Sequence, residues 1–372
     1  MKIVEFIPTL VPGGAERFVV DLCNEMAQYP QHEIILLNFG AEVSETRRFY
    51  EAQVSDKIRY INVKRSENII DKLICLWRVF KVIMKEKPNI VHCHVHAYSY
   101  ALMPAIFLRK RTKYIQTNHN NPYKNIKPGL DKLIKTFFYK TRLIRLVTIS
   151  PTCRKNYNEY MGFDSDNMIE NGCRSISATT SITDVEKEIK QLLPSCHTVV
   201  FVNVARLQYQ KHHELLVQAF NNLIDKGYDA ILLQIGNKDA NKDKLKILME
   251  MDHSKRLFFL GPKKNVQDYL YQADAFCLSS RWEGAPISLL EASFCGCYPL
   301  CTPVCGCIDA IIGEDWGRMS KDESVEAYTE LLESYIINKP QITRDKISKE
   351  YFDRYNMKTC AQKYLAYFES II

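Results

Sequence analysis

No apolar run in this chain is long enough to cross a bilayer. The longest, Ala101 to Leu108, falls far short of the ~18 residues a spanning helix needs. The N-terminus leaves no room for a signal peptide, because Lys2-Ile3-Val4-Glu5-Phe6-Ile7 goes directly into a strand-like pattern. There is no G-x-G-x-x-G, which disfavours a dinucleotide oxidoreductase. No C-x2-C pair occurs, so the spacing of a structural zinc site is missing. No nucleic-acid-binding motif accompanies the basic residues, and repeats and long low-complexity tracts are absent.

What is present is a chain of 372 residues, long enough for two domains, with 46% hydrophobic and 25% charged residues. Thirteen cysteines without an export signal are expected to be thiols in a reducing cytoplasm. The net charge of +7 is uneven. Residues 1–175 hold 27 Lys+Arg against 17 Asp+Glu, and between Arg78 and Arg145 only Glu86 and Asp131 are acidic. That asymmetry points to an anionic partner for the first half, a membrane surface or lipid diphosphate and not nucleic acid.

Short β-branched runs alternate with longer helical patterns. Strands are predicted near 2–7, 33–38, 58–62, 89–93, 113–117, 145–149 and 167–170, and the rhythm restarts with 198–204, 229–235, 256–260, 274–279 and 297–301. Two βα series imply an α/β protein with two doubly wound parallel-sheet domains. The polar, Ser/Thr-rich segment from about Cys173 to Ser195 fits a linker. Ligands of such sheets bind at the carboxyl ends of strands, and the motifs that follow all lie just after predicted strands.

Arg281-Trp282-Glu283-Gly284-Ala285-Pro286-Ile287-Ser288-Leu289-Leu290-Glu291-Ala292 is the most informative of them. A buried strand ending in Ser279-Ser280 precedes it. Gly284 permits a tight turn and Pro286 suits the first position of a helix. Glu283 would then lie in the loop and Glu291 about two turns into the helix. The helix-start amides near Gly284, Ala285, Pro286 and Ile287 form an anion site between the two carboxylates. A ribose diol, a phosphate and sugar hydroxyls would suit those three groups. Val204-Ala205-Arg206-Leu207-Gln208-Tyr209-Gln210-Lys211 delivers Arg206 and Lys211 after another strand, and two such cations can meet one diphosphate. Pro12-Gly13-Gly14-Ala15-Glu16-Arg17 opens the first helix, where paired glycines let the backbone approach a phosphate. His119, in Gln116-Thr117-Asn118-His119-Asn120, follows a strand. His92, His94 and His96 alternate, so a strand would place all three on one face. Cys295, Cys297, Cys301, Cys305 and Cys307 are read as small buried thiols.

The two glutamates with seven residues between them resemble the E-x7-E signature of retaining glycosyltransferases of family 4, which have the GT-B fold. The segment at Arg206 and Lys211 is similar to that family's G-R-L-x-x-x-K-G, with Ala205 and His212 in place of its glycines. Gln116–Asn120 resembles its T-x-H-D, with Asn120 for the Asp. Ser150-Pro151, Asn171-Gly172 and Cys305-Gly306 align with further landmarks. The resemblance implies two Rossmann-like domains facing a central cleft: an acceptor-side domain over 1–175, a nucleotide-sugar domain over 176–352, and a helix over 353–372 crossing back.

The resemblance also implies transfer of a hexosyl group, with retention, from a UDP- or GDP-sugar to a saccharide or lipid-linked saccharide acceptor in capsule or O-antigen synthesis. Arg206, Lys211, Glu283 and His119 would form the catalytic set; Gly13, Gly14, Gly284 to Ile287 and Glu291 would bind the donor. No cofactor and no metal are implied, and no nucleophile is evident, so front-side displacement is expected. Amphipathic Leu130–Lys140 suits an interfacial helix on an anionic membrane. The alternatives are a sugar-nucleotide epimerase of the same fold and an inactive partner subunit.

Overall fold

The computed structural model describes residues 1–40, 49–64, 69–236 and 242–372. The chain divides into two compact units, Met1–Arg174 with Tyr355–Ile372, and Ser175–Arg354. The first holds seven strands: β1 (Lys2–Phe6), β2 (Glu33–Asn38), β3 (Arg59–Asn62), β4 (Ile90–His94), β5 (Lys113–Asn118), β6 (Arg145–Thr148) and β7 (Asn167–Met168). The second holds six: β8 (Val199–Val204), β9 (Ala230–Ile235), β10 (Leu257–Gly261), β11 (Ala275–Leu278), β12 (Tyr298–Cys301) and β13 (Arg318–Met319). All pairings are parallel, in the orders β3-β2-β1-β4-β5-β6-β7 and β10-β9-β8-β11-β12-β13. These are the doubly wound sheets that the alternating pattern predicts. The order reverses between β1 and β4 in one unit and between β8 and β11 in the other, the places where such sheets open toward ligands.

The strands read as near-continuous apolar runs because helices cover both faces. Val4, Phe6, Leu37, Val91, Tyr114 and Leu146 share one core with Val79 and Ile83 of the helix Ile69–Glu86 and Phe138 of the helix Leu130–Lys140. Local signals set the helix ends. In Pro151–Met161, Ser150 accepts from the Cys153 amide, Pro151 begins the helix, and Gly162 closes it at φ 74°. Ser150→Ala would remove that cap at a cost of about 1 kcal/mol.

The last helix, Met357–Ile371, buries Met357, Cys360, Ala361, Tyr364, Leu365 and Phe368 along one face. It is held at its start by Cys173, whose amide donates to the Tyr355 carbonyl at 2.7 Å and whose carbonyl accepts from the Met357 amide at 2.9 Å. A Cβ on Gly172 would lie 2.7 Å from Cys360 Cβ and 2.8 Å from Met357 Cα, so this close approach requires glycine.

The boundary between the two units falls at the start of the segment expected to be a linker, but the rest of that segment is not one. Ile182–Leu192 forms a helix whose Val185 and Ile189 are buried, and Glu188 accepts from the Tyr269 hydroxyl at 2.6 Å. Apolar residues at 182, 185 and 189 are spaced for one helical face; the surrounding serines and threonines obscured that period.

Candidate functional site

In the second unit the loops after β8 and β11 leave adjacent strands at their carboxyl ends. The β8 loop carries Arg206 and Lys211, and the β11 loop carries Ser279 to Glu283. The two loops are tied together. Ser279 Oγ donates to the carbonyls of Lys211 and His212 at 3.0 and 3.1 Å, and the Arg281 amide donates to the Gln210 carbonyl at 2.8 Å. The Arg281 guanidinium stacks 3.9 Å from the Tyr209 ring centre.

Glu283 is buried at the centre of this knot. Lys211 Nζ lies 2.5 Å from its Oε1, Ser280 Oγ donates to Oε1 at 2.6 Å, and Gln210 Nε2 donates to Oε2 at 3.3 Å. A buried carboxylate needs this many partners to keep its charge. Lys211 is therefore an ion-pair partner in this structure as well as a cation of the loop. Arg206 differs: its half-buried guanidinium has no hydrogen-bond or ion-pair partner among the described residues.

Gly284 and Ala285 lead into the helix Ile287–Phe294. Pro286, expected from sequence as the first residue of that helix, instead precedes it as its cap; its ψ of 110° keeps it extended. The helix consequently starts one residue later, and Glu291 is its fifth residue, one turn in and not two. The Leu289 and Leu290 amides already donate to the Pro286 carbonyl, so the Ile287 and Ser288 amides are those upstream of the first helical bonds. Gly306 packs directly on this turn. A Cβ there would overlap the Gly284 carbonyl, which explains the glycine physically. His212, where the resembling pattern has glycine, is left-handed at φ 45°; histidine tolerates that region better than most side chains.

In the first unit Gly13 caps the helix Gly14–Met26 in extended conformation, and Glu16 folds back over it closely enough that a Cβ on Gly13 would overlap its carboxylate. Arg17, one turn on, forms a buried bidentate pair with Asp21, with Nε at 2.7 Å and Nη2 at 2.5 Å.

His119 follows β5 and has a chain of buried polar groups behind it. Its Nε2 lies 2.9 Å from His94 Nδ1; His94 Nε2 lies 2.7 Å from Glu5 Oε2; His92 Nδ1 lies 3.1 Å from Glu5 Oε1. Thr117 Oγ1 is 2.7 Å from His92 Nε2 and 2.9 Å from the Tyr364 hydroxyl. The two histidines hold the Glu5 carboxyl down to about 2 against the opposing effect of burial. Burial, then the neighbouring His92, lowers His94 to about 4, and burial holds His119 well below the usual histidine range. Glu5, His92 and His94 are the metal-ligating side chains that converge among the described residues, within 4.8 Å; the nitrogens facing Glu5 are engaged in hydrogen bonds to it. His96 does not join them. β4 ends at His94, and His96 is exposed in the following turn. The thirteen cysteines are free thiols, all buried but Cys196.

Sequence reasoning missed Ser280 and Gln210 around Glu283, and Glu5 behind His119. Glu5 had a signal: it is an acid in the middle of an otherwise apolar strand. Gln210 had none, because its partner lies 73 residues away; Ser280 is only three residues from Glu283, but a serine ending a strand does not by itself point at a carboxylate in the next turn.

Two family models match the chain. "Glycosyl transferases group 1" matches residues 184–353 and "Glycosyltransferase Family 4" matches residues 12–172. The chain is similar to a UDP-Gal:alpha-D-GlcNAc-diphosphoundecaprenol alpha-1,3-galactosyltransferase of Escherichia coli, 27% identical over 62% of each chain. It is also similar to an N-acetylgalactosamine-N,N'-diacetylbacillosaminyl-diphospho-undecaprenol 4-alpha-N-acetylgalactosaminyltransferase of Campylobacter jejuni, 21% identical over 98% of this chain and 99% of the relative. The matches to the Escherichia coli enzyme and to an archaeal relative span less than two thirds of those proteins. Among solved structures, HepE of Anabaena in complex with UDP and glucose superposes with a TM-score of 0.81 over 100% of both chains at 14% identity, a likeness of fold. Motifs, sheet topology and both matched halves converge: the chain belongs to the family 4, group 1 glycosyltransferases and has the GT-B fold.

Proposed function

We propose that this glycosyltransferase moves a hexosyl group from a UDP-sugar to a hydroxyl of an undecaprenol-diphosphate-linked saccharide, with retention, in cell-surface polysaccharide synthesis. The observation that carries the donor assignment is the contrast within one loop. Lys211 is neutralised by Glu283, whereas Arg206, half-buried at the carboxyl end of β8, has a guanidinium without a partner among the described residues. A planar cation in that position is suited to a diphosphate, and the Ile287 and Ser288 amides add dipoles of the same sign. Preorganised positive charge stabilises the departing nucleoside diphosphate, usually the largest single contribution to such catalysis. Lys211, released or shared when a ligand enters, would join it.

Glu291 is assigned to the ribose diol, Glu283 to sugar hydroxyls, and Gly13 and Gly14 to the edge of the diphosphate. Gly284, Ala285, Pro286 and Ile287 shape the phosphate turn. His119 is assigned to the sugar ring. The unit 176–352 is taken as the donor-binding domain, and 1–175 as the acceptor side with 353–372 returning to it. UDP is favoured over GDP by the likeness to a relative whose name specifies a UDP-sugar donor, and by the shared fold of HepE, solved with UDP-glucose.

The lipid-linked acceptor is supported by those relatives and by the helix Leu130–Lys140. Its inward face holds Lys135, Phe138 and Tyr139; Leu130, Leu133, Ile134 and Phe137 point outward and are exposed. An apolar outer face bordered by Lys127, Lys132 and Lys140 suits the surface of an anionic membrane on its cytoplasmic side. No helix among the described residues is long and apolar enough to cross it.

The test is nucleotide release from UDP-, GDP- and ADP-sugars, with and without undecaprenol-diphosphate-linked saccharides. Release from a UDP-hexose that rises with the lipid acceptor supports the proposal. Failure of every nucleotide to bind at saturation would reject it, and a rearranged donor without acceptor use would indicate an epimerase.

A further inference from the structure

The buried groups behind His119 determine which of its nitrogens can accept a hydrogen bond. Glu5, His92 and His94 are fully buried; Glu5 Oε2 lies 2.7 Å from His94 Nε2 and 2.9 Å from His92 Nδ1, which also lies 3.1 Å from Oε1. A carboxylate only accepts, so His94 Nε2 carries a proton toward it. His94 is neutral at pH 7, because burial and His92 keep it from taking a second proton. Its Nδ1 is then a lone pair. The partner at 2.9 Å, His119 Nε2, must be the donor. His119 is itself neutral, since burial and the two histidines behind it disfavour its cation. Its proton is therefore on Nε2, and Nδ1 is left unprotonated.

Four further groups face this chain: Cys23 from the helix Gly14–Met26, Cys93 from β4, Thr117 from β5, and Tyr364 from the last helix. None of them reaches His119. Its Nδ1 is buried and has no hydrogen-bond partner among the described residues. An orphan acceptor of this kind is destabilising unless a ligand supplies the donor.

We infer that Glu5 is a positioning residue which, acting through His94, holds His119 in the Nε2–H tautomer and so leaves its Nδ1 as an acceptor for a hydroxyl of the bound sugar. The inference rests on the proposed contact between His119 and the sugar. It adds a direction to that contact: the substrate hydroxyl donates and the protein accepts. It also accounts for a carboxylate buried in the core of the first sheet, where an apolar residue would pack without any partner.

The experiment is two-bond 1H–15N correlation spectroscopy of the full chain, labelled with 15N-histidine, at pH 7. His119 is identified by its disappearance in His119→Gln. The expected result is a single neutral tautomer, protonated at Nε2; protonation at Nδ1, or at both nitrogens, would overturn the inference. In Glu5→Gln the amide can donate as well as accept, so His119 should become a mixture of tautomers or shift to Nδ1–H, with turnover about tenfold lower. An unchanged pure Nε2–H form in folded Glu5→Gln would remove Glu5 from the role. Should that variant not fold, the spectrum of the natural protein still decides the tautomer. Adding UDP-glucose separates the two readings. The expected tautomer with no movement of the His119 Nδ1 signal supports the Glu5 relay and overturns only the sugar contact.

Discussion

Lys211 Nζ and Glu283 Oε1 lie 2.5 Å apart although 72 residues separate them in the chain. The pair joins the loops after β8 and β11, and both partners are largely shielded, with 16% and 7% of their side chains exposed. Each charge is the other's main compensation. Removing the lysine strands a carboxylate, and removing the carboxylate leaves a lysine that can still reach water. Lys211→Met should therefore lower the stability of the second unit by about 3 kcal/mol, and Glu283→Gln by less. Urea midpoints for the two variants would measure this; equal losses would contradict the asymmetry.

Arg206 presents the opposite case. With no partner among the described residues, it contributes little to folding, so Arg206→Ala should change stability by no more than about 0.5 kcal/mol. Donor turnover should fall on the order of 10²–10³-fold. A variant that loses stability but keeps its turnover would refute the role proposed for Arg206.

Gly306→Ala tests the packing of the turn. Its Cβ would meet the Gly284 carbonyl, so the backbone of Glu283 to Ala285 must move. Overpacking of this kind costs about 1–3 kcal/mol, and nucleotide affinity should fall with it because the helix-start amides shift. Unaltered melting and unaltered affinity together would mean that the turn is more tolerant than its geometry indicates.

Acid should destabilise the protein earlier than carboxylates alone would. His94 and His213 have folded values of about 4 and 3, lowered mainly by burial from an ordinary 6.5. The unfolded chain then binds protons that the folded chain refuses. Stability is complete above pH 6.5 and declines as pH falls toward 4, by up to ~1.4 kcal/mol per unit for each such group. Glu5 adds a second decline, because its folded value of about 2 lies below the ordinary 4.5; that contribution is present above 4.5 and lost toward 2. Denaturant midpoints at pH 7.5, 6, 5 and 4.5 should fall steadily, and a flat profile would argue against neutral buried histidines.

If the outer face of Leu130–Lys140 meets a membrane, Leu133→Glu with Phe137→Glu should reduce binding to anionic vesicles by at least about tenfold. Binding of the natural protein should weaken steeply with salt. Both residues are exposed, at 67% and 57%, so the fold should not suffer. Binding that ignores both salt and the substitutions would dismiss this face.

Much of this molecule is legible in one dimension. Apolar runs such as Ile34–Leu37 and Ala275–Leu278 can only be buried strands, and their alternation with helical patterns dictates two parallel sheets. The Ser150-Pro151 start and the Gly162 stop are local chemistry, readable within a dozen residues. The candidate site was legible as motif: Arg206, Lys211, Glu283 and Glu291 stand at the spacing that the family shares. Only the tertiary structure decided how those charges are used. Nothing in the sequence pairs Lys211 with Glu283, or leaves Arg206 without a partner, because pairing depends on which loops leave adjacent strands. The same reason hid the chain from Glu5 to His119, whose members lie on β1, on β4 and just after β5; the helix at 182–192 was hidden instead by the serines and threonines around its apolar period. Periodicity is a property of neighbours along the chain; hydrogen bonds and ion pairs depend on neighbours in space.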